Sequence, residues 1–483
     1  MGLFGQKSKL KTATPTVRVE KVVIPSKPRP RPIPSSSGRA SSAHASLSTK
    51  LSPNSHARRP KSISPYLSSS DELRIDRKRK AVTSTPRDSP VFGNDTESED
   101  DDGDPFRKRM RRSDGRLVDV NRKLRHKKAF GDGVRKPNIV HAADLVSRAT
   151  KCPPISGAKD DEIAIEVQYP SRCARERYEL VWQKDKIDAV KDIFAIIDNV
   201  AETYLTDADS KAFIDHNMSF KRQMERAISE KYRDVSAFRA ALDSYNTKLI
   251  ELVENGTVAR NLDRIHHLPS KLVSLILTQV YDRTVAPKVE MLTKYDAGSD
   301  NVYGELLHPF VTKILVEQTK MTSDQVFMDL GSGVGNVVIQ AALEIGCRSY
   351  GCEMMENAYN LAEAQEKEFR SRCMLWGVAP GRVHLEQGDF RTNSKMLEKI
   401  KEADVILVNN KAFTATLNDA LINMFLDLKK GCKIISLKSF VYETKTAIND
   451  VATSILDVEY FRYHEGWVSW TGSDGEYYIS TRK

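Results

Sequence analysis

The feature that most restricts the fold is a regular alternation of short apolar segments and helical patterns over residues 300–483. The apolar segments have the length and composition of buried strands: Val326–Leu330, Ser349–Glu353, Val383–Gln387, Val405–Val408 and Ile434–Ser436. Helical patterns lie between them: Asn336–Glu344, Ala358–Trp376, Ser394–Ile400 and Asn418–Leu428. Such an alternation predicts a parallel, doubly wound α/β sheet. Alternating residues in 466–473 and 475–480, on either side of a turn, predict an antiparallel hairpin as the last element.

A glycine-rich turn, residues 331–335, follows the first of these strands and leads into the helix that opens at Asn336. Open α/β sheets bind ligands at this kind of strand–turn–helix junction. Asp329 lies at the end of the strand, where it can hold a ligand ammonium or orient the turn. Glu353 closes the next strand, 22 residues after Gly331, where an acid can accept hydrogen bonds from both ribose hydroxyls.

A third strand ends in Gly388-Asp389-Phe390, whose carboxylate and aromatic ring can bind the amino group and the face of an adenine. A dinucleotide dehydrogenase uses nearly the same layout, and a structural turn with surface acids is the other alternative. The glycines have GxGxG spacing rather than the GxGxxG of dinucleotide-binding proteins, and Asp329 precedes them by two residues. The three strand ends together therefore predict a pocket for S-adenosylmethionine.

The fourth strand ends in Val408-Asn409-Asn410-Lys411-Ala412-Phe413, a position that faces the sulfonium methyl in this topology. Asn409 can orient an incoming amine through a hydrogen bond, and Phe413 can form the wall of a narrow channel; a plain turn is the alternative. Upstream, the segment from Tyr303 to Leu306 is predicted to fold over the cofactor, with Glu305 next to the methionine ammonium.

The N-terminal part differs in composition, because 12 of the 20 prolines fall within residues 1–105 while all four tryptophans lie beyond residue 180. Residues 1–140 are therefore predicted to form a disordered tail. Between residues 106 and 136, 13 Lys or Arg stand against three Asp, a surplus that equals the net charge of +10 of the whole chain. This segment indicates nuclear import and contact with DNA or a nucleosome; an ordinary solvated tail is the alternative.

Residues 141–299 are predicted to form a mostly helical N-terminal lobe of the catalytic region. Strand-like alternation at 162–167 and 178–182 precedes helical patterns over Ile187–Tyr204, Val235–Glu254 and Pro269–Val285. The six cysteines have no CxxC or Cys/His spacing that suits zinc, so no metal site is predicted. No run of 18 apolar residues exists, so no membrane contact is predicted.

The ordered set of motifs resembles one family, the disruptor-of-telomeric-silencing histone methyltransferases, which lack a SET domain. The resemblance spans residues 160–483 and rests on these segments: Tyr303-Gly304-Glu305-Leu306, residues 327–336, Glu353, Gly388-Asp389-Phe390, Val408-Asn409-Asn410 and Val468-Ser469-Trp470-Thr471-Gly472. The basic N-terminal tail resembles the fungal arrangement. The resemblance implies a class I (Rossmann-like) seven-stranded methyltransferase sheet that ends in an antiparallel hairpin.

The resemblance also implies the activity: methylation of lysine seventy-nine of histone H3 in nucleosomes, up to the trimethyl state. It implies a nuclear location, roles in telomeric silencing and the DNA-damage checkpoint, and contacts of the basic tail with DNA or with ubiquitin on the nucleosome. Asn409, Phe413 and Tyr303 are the implied catalytic residues. The implied cofactor contacts are Tyr303, Gly304, Glu305, Leu306, Phe327, Met328, Asp329, Leu330, Gly331, Ser332, Gly333, Val334, Gly335, Asn336, Glu353, Asp389 and Phe390.

Two residues depart from the animal members of this family. Lys411 replaces a phenylalanine, so a cation next to the channel repels the substrate ammonium unless it points to solvent. Asn336 replaces a glutamine with a shorter amide. Two other functions remain as alternatives. One is an RNA or DNA methyltransferase with a basic tail, and the other is an inactive chromatin-binding scaffold. The absence of a proline pair after Asn409-Asn410 argues against methylation of base amines, and the intact acids argue against an inactive pocket.

Overall fold

The computed structural model describes residues 118–155, 158–293, 304–441 and 451–483. Its main sheet has seven strands: β3 (Val326–Leu330), β4 (Arg348–Glu353), β5 (Val383–Gln387), β6 (Val405–Val408), β7 (Lys433–Ser436), β8 (Leu456–Tyr463) and β9 (Gly475–Arg482). Their order across the sheet is β5-β4-β3-β6-β7-β9-β8. Strands β3 to β7 are parallel, and β9 pairs antiparallel with both β7 and β8. The predicted fold class is confirmed, and the five predicted parallel strands are confirmed to within one residue.

The second strand of the terminal hairpin is confirmed, since residues 475–480 lie in β9, but the predicted first strand is wrong. The first strand is β8, and residues 466–473 lie in the connection between β8 and β9. Strand β8 escaped prediction because its sequence, LDVEYFRY, mixes charged and aromatic residues and most of its side chains are at least partly exposed. The connection instead pairs with a segment far upstream, since Leu306 and Val468 form an antiparallel bridge.

Helices cover both faces of the sheet. They are α8 (His308–Thr312), α9 (Asn336–Gln340), α10 (Glu356–Leu375), α11 (Ser394–Lys399), α12 (Ala415–Met424) and α13 (Val451–Ile455). Helices α8 and α9 continue into π-helical turns, Lys313–Gln318 and Ala341–Ile345. One apolar cluster contains Met328 and Leu330 of β3, and a second contains Phe327 and Leu407. Successive β3 side chains therefore pack on opposite faces of the sheet, as the period of a strand requires.

The helical lobe precedes the sheet. It comprises the hairpin β1 (Ala164–Val167) and β2 (Glu176–Glu179) and the helices α1 (Ala142–Leu145), α2 (Ala189–Tyr204), α3 (Asp207–Ile214), α4 (Phe220–Ile228), α5 (Val235–Glu254), α6 (Thr257–Asp263) and α7 (Ser270–Thr284). Several helices begin at a side-chain cap; Asp188, for example, accepts hydrogen bonds from the backbone N–H groups of Val190 and Lys191. The lobe core continues into Val338 of α9, Trp376 and Val383 of β5, so it extends to the edge strand of the sheet and one of its helices. None of the helices in these ranges is long and apolar enough to cross a bilayer.

The end of the segment predicted as a disordered tail is packed on the folded part. Leu124 is 1% exposed, and the backbone of Arg125 bridges to that of Val378. The Arg122 guanidinium is buried and donates a hydrogen bond to the carbonyl oxygen of Leu343, at 3.1 Å. Order therefore reaches back to at least residue 118. The charge count alone does not reveal this, because the buried apolar residues Leu124, Ala129 and Ile139 are scattered among basic and polar ones.

Candidate active site

A cavity of about 370 Å³ opens at the carboxyl ends of β3, β4, β5 and β6. The chain adds β4 and β5 on one side of β3, and β6 and β7 on the other side. The carboxyl end of β3 is therefore the topological switch point, where open α/β sheets bind ligands. The lining residues are Gly304, Glu305, Leu306, Asp329, Gly331, Ser332, Gly333, Val334, Asn336, Val337, Glu353, Met354, Met355, Asp389, Phe390, Arg391, Leu407, Asn409, Phe413, Thr414 and Leu417. The volume suits a small-molecule ligand or cofactor.

The glycine-rich turn is fastened to the neighbouring strand β4. The backbone N–H groups of Gly331 and Ser332 both donate to the carbonyl oxygen of Cys352, at 3.0 Å. Gly331 has a φ of +87°, a left-handed conformation that side chains disfavour. Gly351, in β4, is required for a different reason: a Cβ atom there would lie 2.8 Å from Ser332 Oγ. The turn therefore approaches the sheet closely and leaves the cavity above it open.

Two carboxylates face each other across this turn. Asp329 is 3% exposed, and burial, with a further contribution from the Glu353 carboxylate, raises its pKa well above the usual value. Glu353 accepts hydrogen bonds from the backbone N–H groups of Gly333 and Met355, each at 2.8 Å. Burial raises the pKa of Glu353, and these hydrogen bonds partly offset that rise. The pair is thus an environment that favours a cationic or hydroxyl-bearing ligand.

The opposite end of the cavity has one acid and an apolar floor. Asp389 follows β5, and its carboxylate accepts a two-pronged hydrogen bond from the Arg391 side chain, with the Nη2 to Oδ2 distance at 2.6 Å. This hydrogen bonding lowers the pKa of Asp389. Phe390 is 9% exposed, and Met354 and Met355 line the cavity directly after Glu353. A flat aromatic ligand group fits between these side chains, with Asp389 at its edge.

The segment from Gly304 to Leu306 forms one wall of the cavity. It is held by the β8–β9 connection, because Ser469 and Glu305 exchange hydrogen bonds of 2.9 Å, one to the Ser469 hydroxyl and one from its backbone N–H. Trp470 packs on Gly304, where a Cβ atom would lie 2.7 Å from Cε3 of the indole ring. The motif at 468–472 is thus the support of this segment.

The two asparagines after β6 have different environments. Asn409 lines the cavity, and its side-chain Nδ2 donates to the carbonyl oxygen of Gly304, at 3.1 Å. Asn410 is fully buried, and its side-chain oxygen accepts from the backbone N–H groups of Leu437 and Lys438. Asn409 therefore connects the end of β6 to the segment across the cavity, whereas Asn410 fastens the loop after β7.

Phe413 forms the remaining wall above the glycine turn: its Cζ would lie 3.8 Å from a Cβ atom at Gly331. Lys411, two residues earlier, is exposed to solvent. Lys411 is also not among the residues that line the cavity.

Comparison with known proteins agrees with this site. A family model described as "Histone methylation protein DOT1" matches residues 281–482. A protein of Gibberella zeae named "Histone-lysine N-methyltransferase, H3 lysine-79 specific" is 55% identical over 497 aligned positions that cover 100% of both chains. Proteins with the same name from Chaetomium globosum (56% identical; 79% of this chain, 74% of the relative) and Aspergillus fumigatus (41% identical; 92% and 90%) also match.

The chain belongs to this family. The resemblance inferred from the motifs is thereby confirmed, as are the predicted enzyme class, a histone methyltransferase, and its cofactor, S-adenosylmethionine. The residues in the cavity fit that cofactor. A buried carboxylate with a raised pKa, Asp329, would suit the ammonium, Glu353 would offer fixed oxygens to the ribose, and the methionines with Phe390 would form an apolar slot for the adenine.

Not every residue predicted to contact the cofactor lies at the cavity surface. Phe327, Met328 and Leu330 have their side chains in the cores on the two faces of the sheet. Gly335 is the residue before α9, where its φ of +82° turns the chain into the helix. Tyr303 lies outside the described residues.

Other lining residues were missed by the sequence analysis: Val337, Met354, Met355, Arg391, Leu407, Thr414 and Leu417. Met354 and Met355 were predictable from the sequence, since they directly follow Glu353 at the end of a strand and so lie next to the ligand site that this acid predicts. For the residues after β6 the signal was absent, because α12 was predicted to begin three residues too late.

Proposed function

We propose that this chain transfers methyl groups from S-adenosylmethionine to lysine 79 of histone H3 in nucleosomes, up to the trimethyl state. The observation that carries the proposal is the convergence of Asp329, Glu353, Asp389 and Asn409 on one cavity, each from the end of a different parallel strand. The substrate is taken from the printed names of the relatives that match along the chain.

The cofactor supplies an electrophilic methyl group on a sulfonium. In the proposed complex Asp329 and Glu305 receive the ammonium, Glu353 receives the ribose hydroxyls, and Asp389 with Phe390 receives the adenine. These contacts place the sulfonium between the glycine turn and Asn409, close to Phe413. Tyr303, in the same segment as Gly304, is proposed to complete this end of the site.

Methyl transfer is an in-line displacement, so the protein contributes mainly by aligning the amine, the methyl carbon and the sulfur. The lysine must first lose a proton, and its reference pKa is about 10.4. Phe413 and Leu417 supply apolar walls that disfavour the charged amine and so lower that pKa. The side-chain oxygen of Asn409 accepts a hydrogen bond from the remaining N–H and directs the lone pair at the methyl group.

A methylation assay tests the function. Recombinant protein and labelled cofactor are incubated with nucleosomes, free histones or naked nucleic acid. Matched nucleosomes carry arginine in place of lysine 79 of H3. Label is expected on H3 of the unmodified nucleosomes and not on the matched ones. Label on RNA or DNA supports the nucleic-acid methyltransferase, and no label on any substrate supports the inactive scaffold; either result contradicts the proposal.

The finer partners are also proposed: DNA or ubiquitin on the nucleosome for the basic tail, a nuclear location, and roles in telomeric silencing and the DNA-damage checkpoint. The structure changes how the tail must be tested. The basic segment 106–136 includes Arg122, which is buried, and Arg125, which forms a 2.9 Å ion pair with Asp263. Deletion of the whole segment would therefore damage the folded part.

A shorter deletion avoids this damage: it removes only residues 106–117, which carry six Lys or Arg and one Asp. Deletion of the equally long serine-rich stretch 35–46, which has one arginine, serves as its control. We expect the first deletion to weaken nucleosome binding and to flatten its salt dependence by a slope of about five, because about 0.9 counterions are released per phosphate contact. Equal salt slopes in both deletions would contradict the role of the tail.

A further inference from the structure

A chain of buried and partly buried hydrogen bonds ends at Glu305, the carboxylate that lines the cavity from the segment 304–306. Glu305 is 6% exposed. Its Oε1 accepts a hydrogen bond from the side-chain Nδ2 of Asn336, at 2.9 Å. The Asn336 Oδ1 in turn accepts from the side-chain Nε2 of Gln365 in α10, at 3.0 Å. The same Nε2 donates to the backbone carbonyl oxygen of Val334, at 2.6 Å.

The backbone carbonyl oxygen of Val334 decides which atom of each side-chain amide donates and which accepts. A backbone carbonyl oxygen can only accept, so Val334 requires Gln365 to present its NH₂ group. That orientation makes Asn336 accept through Oδ1 and donate through Nδ2. Glu305 is therefore met by a donor, which holds one of its oxygens in place.

A second polar group reaches Glu305 from the helical lobe. The hydroxyl of Tyr281, in α7, is close enough to the Glu305 carboxylate for the two groups to interact. Burial, together with the Glu305 carboxylate, raises the pKa of Tyr281, so the phenol stays protonated as a hydrogen-bond donor. Tyr281 is 1% exposed and packs in one cluster with Val334 of the glycine turn and Ala358 of α10. Helix α7 thus supports the turn and, through one hydroxyl, the carboxylate beside it.

We propose that Tyr281, Gln365 and Asn336 are positioning residues that hold the Glu305 carboxylate toward the amino-acid end of the cofactor. The inference rests on the proposed function, since it requires S-adenosylmethionine in this cavity. It also gives a role to Asn336, whose amide is shorter than the glutamine of animal members: this amide acts through Glu305. In this arrangement the helical lobe contributes to cofactor affinity although Tyr281 lies outside the cavity lining.

Two ligands separate this role from a general structural one. S-adenosylhomocysteine carries the ammonium and carboxylate, whereas 5′-methylthioadenosine has the same nucleoside without the amino acid. Binding of both is measured by titration calorimetry to wild-type protein, Tyr281→Phe and Gln365→Met. The hydrogen bonds lost are worth roughly 1 kcal/mol each, so each variant should bind S-adenosylhomocysteine about three- to tenfold more weakly. Binding of 5′-methylthioadenosine should stay unchanged.

The matched control is Tyr245→Phe, which removes another buried hydroxyl of the lobe; that hydroxyl donates to the carbonyl oxygen of Gln168, at 3.0 Å. It should lower the melting temperature about as much as Tyr281→Phe and leave binding of both ligands unchanged. In a Glu305→Gln background, Tyr281→Phe should have little further effect on S-adenosylhomocysteine.

Equal weakening of both ligands by Tyr281→Phe, or no weakening of either, would overturn the positioning role while leaving the proposed function intact. Failure of the wild-type protein to bind either ligand would overturn the cofactor site, and the positioning role with it.

Discussion

Glu176 in the helical lobe and Asp329 at the end of β3 are both buried carboxylates, and their pKa values shift in opposite directions. Burial by itself raises both pKa values. At Glu176 the guanidinium groups of Arg283 and Arg372 more than offset that rise and bring the pKa to about 2. At Asp329, burial and the Glu353 carboxylate act together, and the pKa rises well above its usual value.

The difference separates a structural charge from a functional one. Glu176 of β2 bonds Arg283 of α7 and Arg372 of α10, so its charge is neutralised within the chain and ties the lobe to the sheet. No Lys or Arg within the described ranges forms an ion pair with Asp329. The protein thus retains the cost of a buried acid at the place where the cofactor ammonium is proposed to bind. Such unmatched groups are typical of functional sites.

The largest expected effect comes from breaking the matched cluster. Arg372→Met should lower the free energy of unfolding by about 3–5 kcal/mol, because it leaves Glu176 and Glu368 in the core with one cation fewer. Urea denaturation measures the change. Arg382→Met, at an exposed position shortly after α10, is the control and should change stability little. A loss no larger than that of the control would show that the cluster does not stabilise the fold.

Asp329→Asn should do the opposite of Arg372→Met: it should lower ligand affinity without lowering the stability of the ligand-free protein. Removal of the unmatched acid should leave the stability of the ligand-free protein unchanged or raise it. The affinity for S-adenosylhomocysteine should fall about 10- to 100-fold, the range expected for one hydrogen bond to a charged group. Thermal denaturation with and without ligand measures both effects, and Asp457→Asn, on the exposed edge strand, is the control. A destabilised ligand-free variant would mean that Asp329 is structural.

The pH dependence follows from the same shift. The folded pKa of Asp329 is raised, so the free protein binds more protons than the unfolded chain, and this contribution to stability is lost as pH rises through that pKa. A bound ammonium favours the ionised acid, so ligand binding releases protons, and affinity falls as pH drops below the raised pKa by up to about tenfold per unit. Calorimetry in buffers of different ionisation enthalpy counts the protons. Equal proton release by wild type and Asp329→Asn would assign the titration elsewhere.

The same contrast explains what the sequence could predict. The strands of the sheet are short apolar runs, and parallel strands place their ends at one edge, so Asp329, Glu353, Asp389 and Asn409 were found from local pattern alone. The cluster around Glu176 was not, because Glu and Arg are mostly surface residues and its partners are 107 and 196 positions away in the chain. Tyr281 was missed for a similar reason: in sequence it is one more apolar position of an amphipathic helix.

Asp389 is intermediate between Glu176, whose charge is paired, and Asp329, which has no cationic partner among the described residues. Substitution of its partner Arg391 has the smallest expected effect. The Asp389 side chain is 23% exposed, and its partner Arg391 comes from the same turn and is 45% exposed, so the pair itself contributes little to stability. The guanidinium nevertheless bonds both carboxylate oxygens, one of which accepts the adenine amino group in the proposed complex. In that complex Arg391 would therefore compete with the cofactor for Asp389.

Arg391→Ala should raise the affinity for S-adenosylhomocysteine about two- to threefold, within the energy of an exposed ion pair, and leave the free energy of unfolding unchanged. Arg391→Lys keeps the charge without the two-pronged geometry and should give an intermediate affinity. Both are measured by calorimetry at one salt concentration. A weaker affinity in Arg391→Ala would mean that the guanidinium contacts the cofactor, and Asp389 would then be a matched charge like Glu176, with its partner shared between protein and ligand.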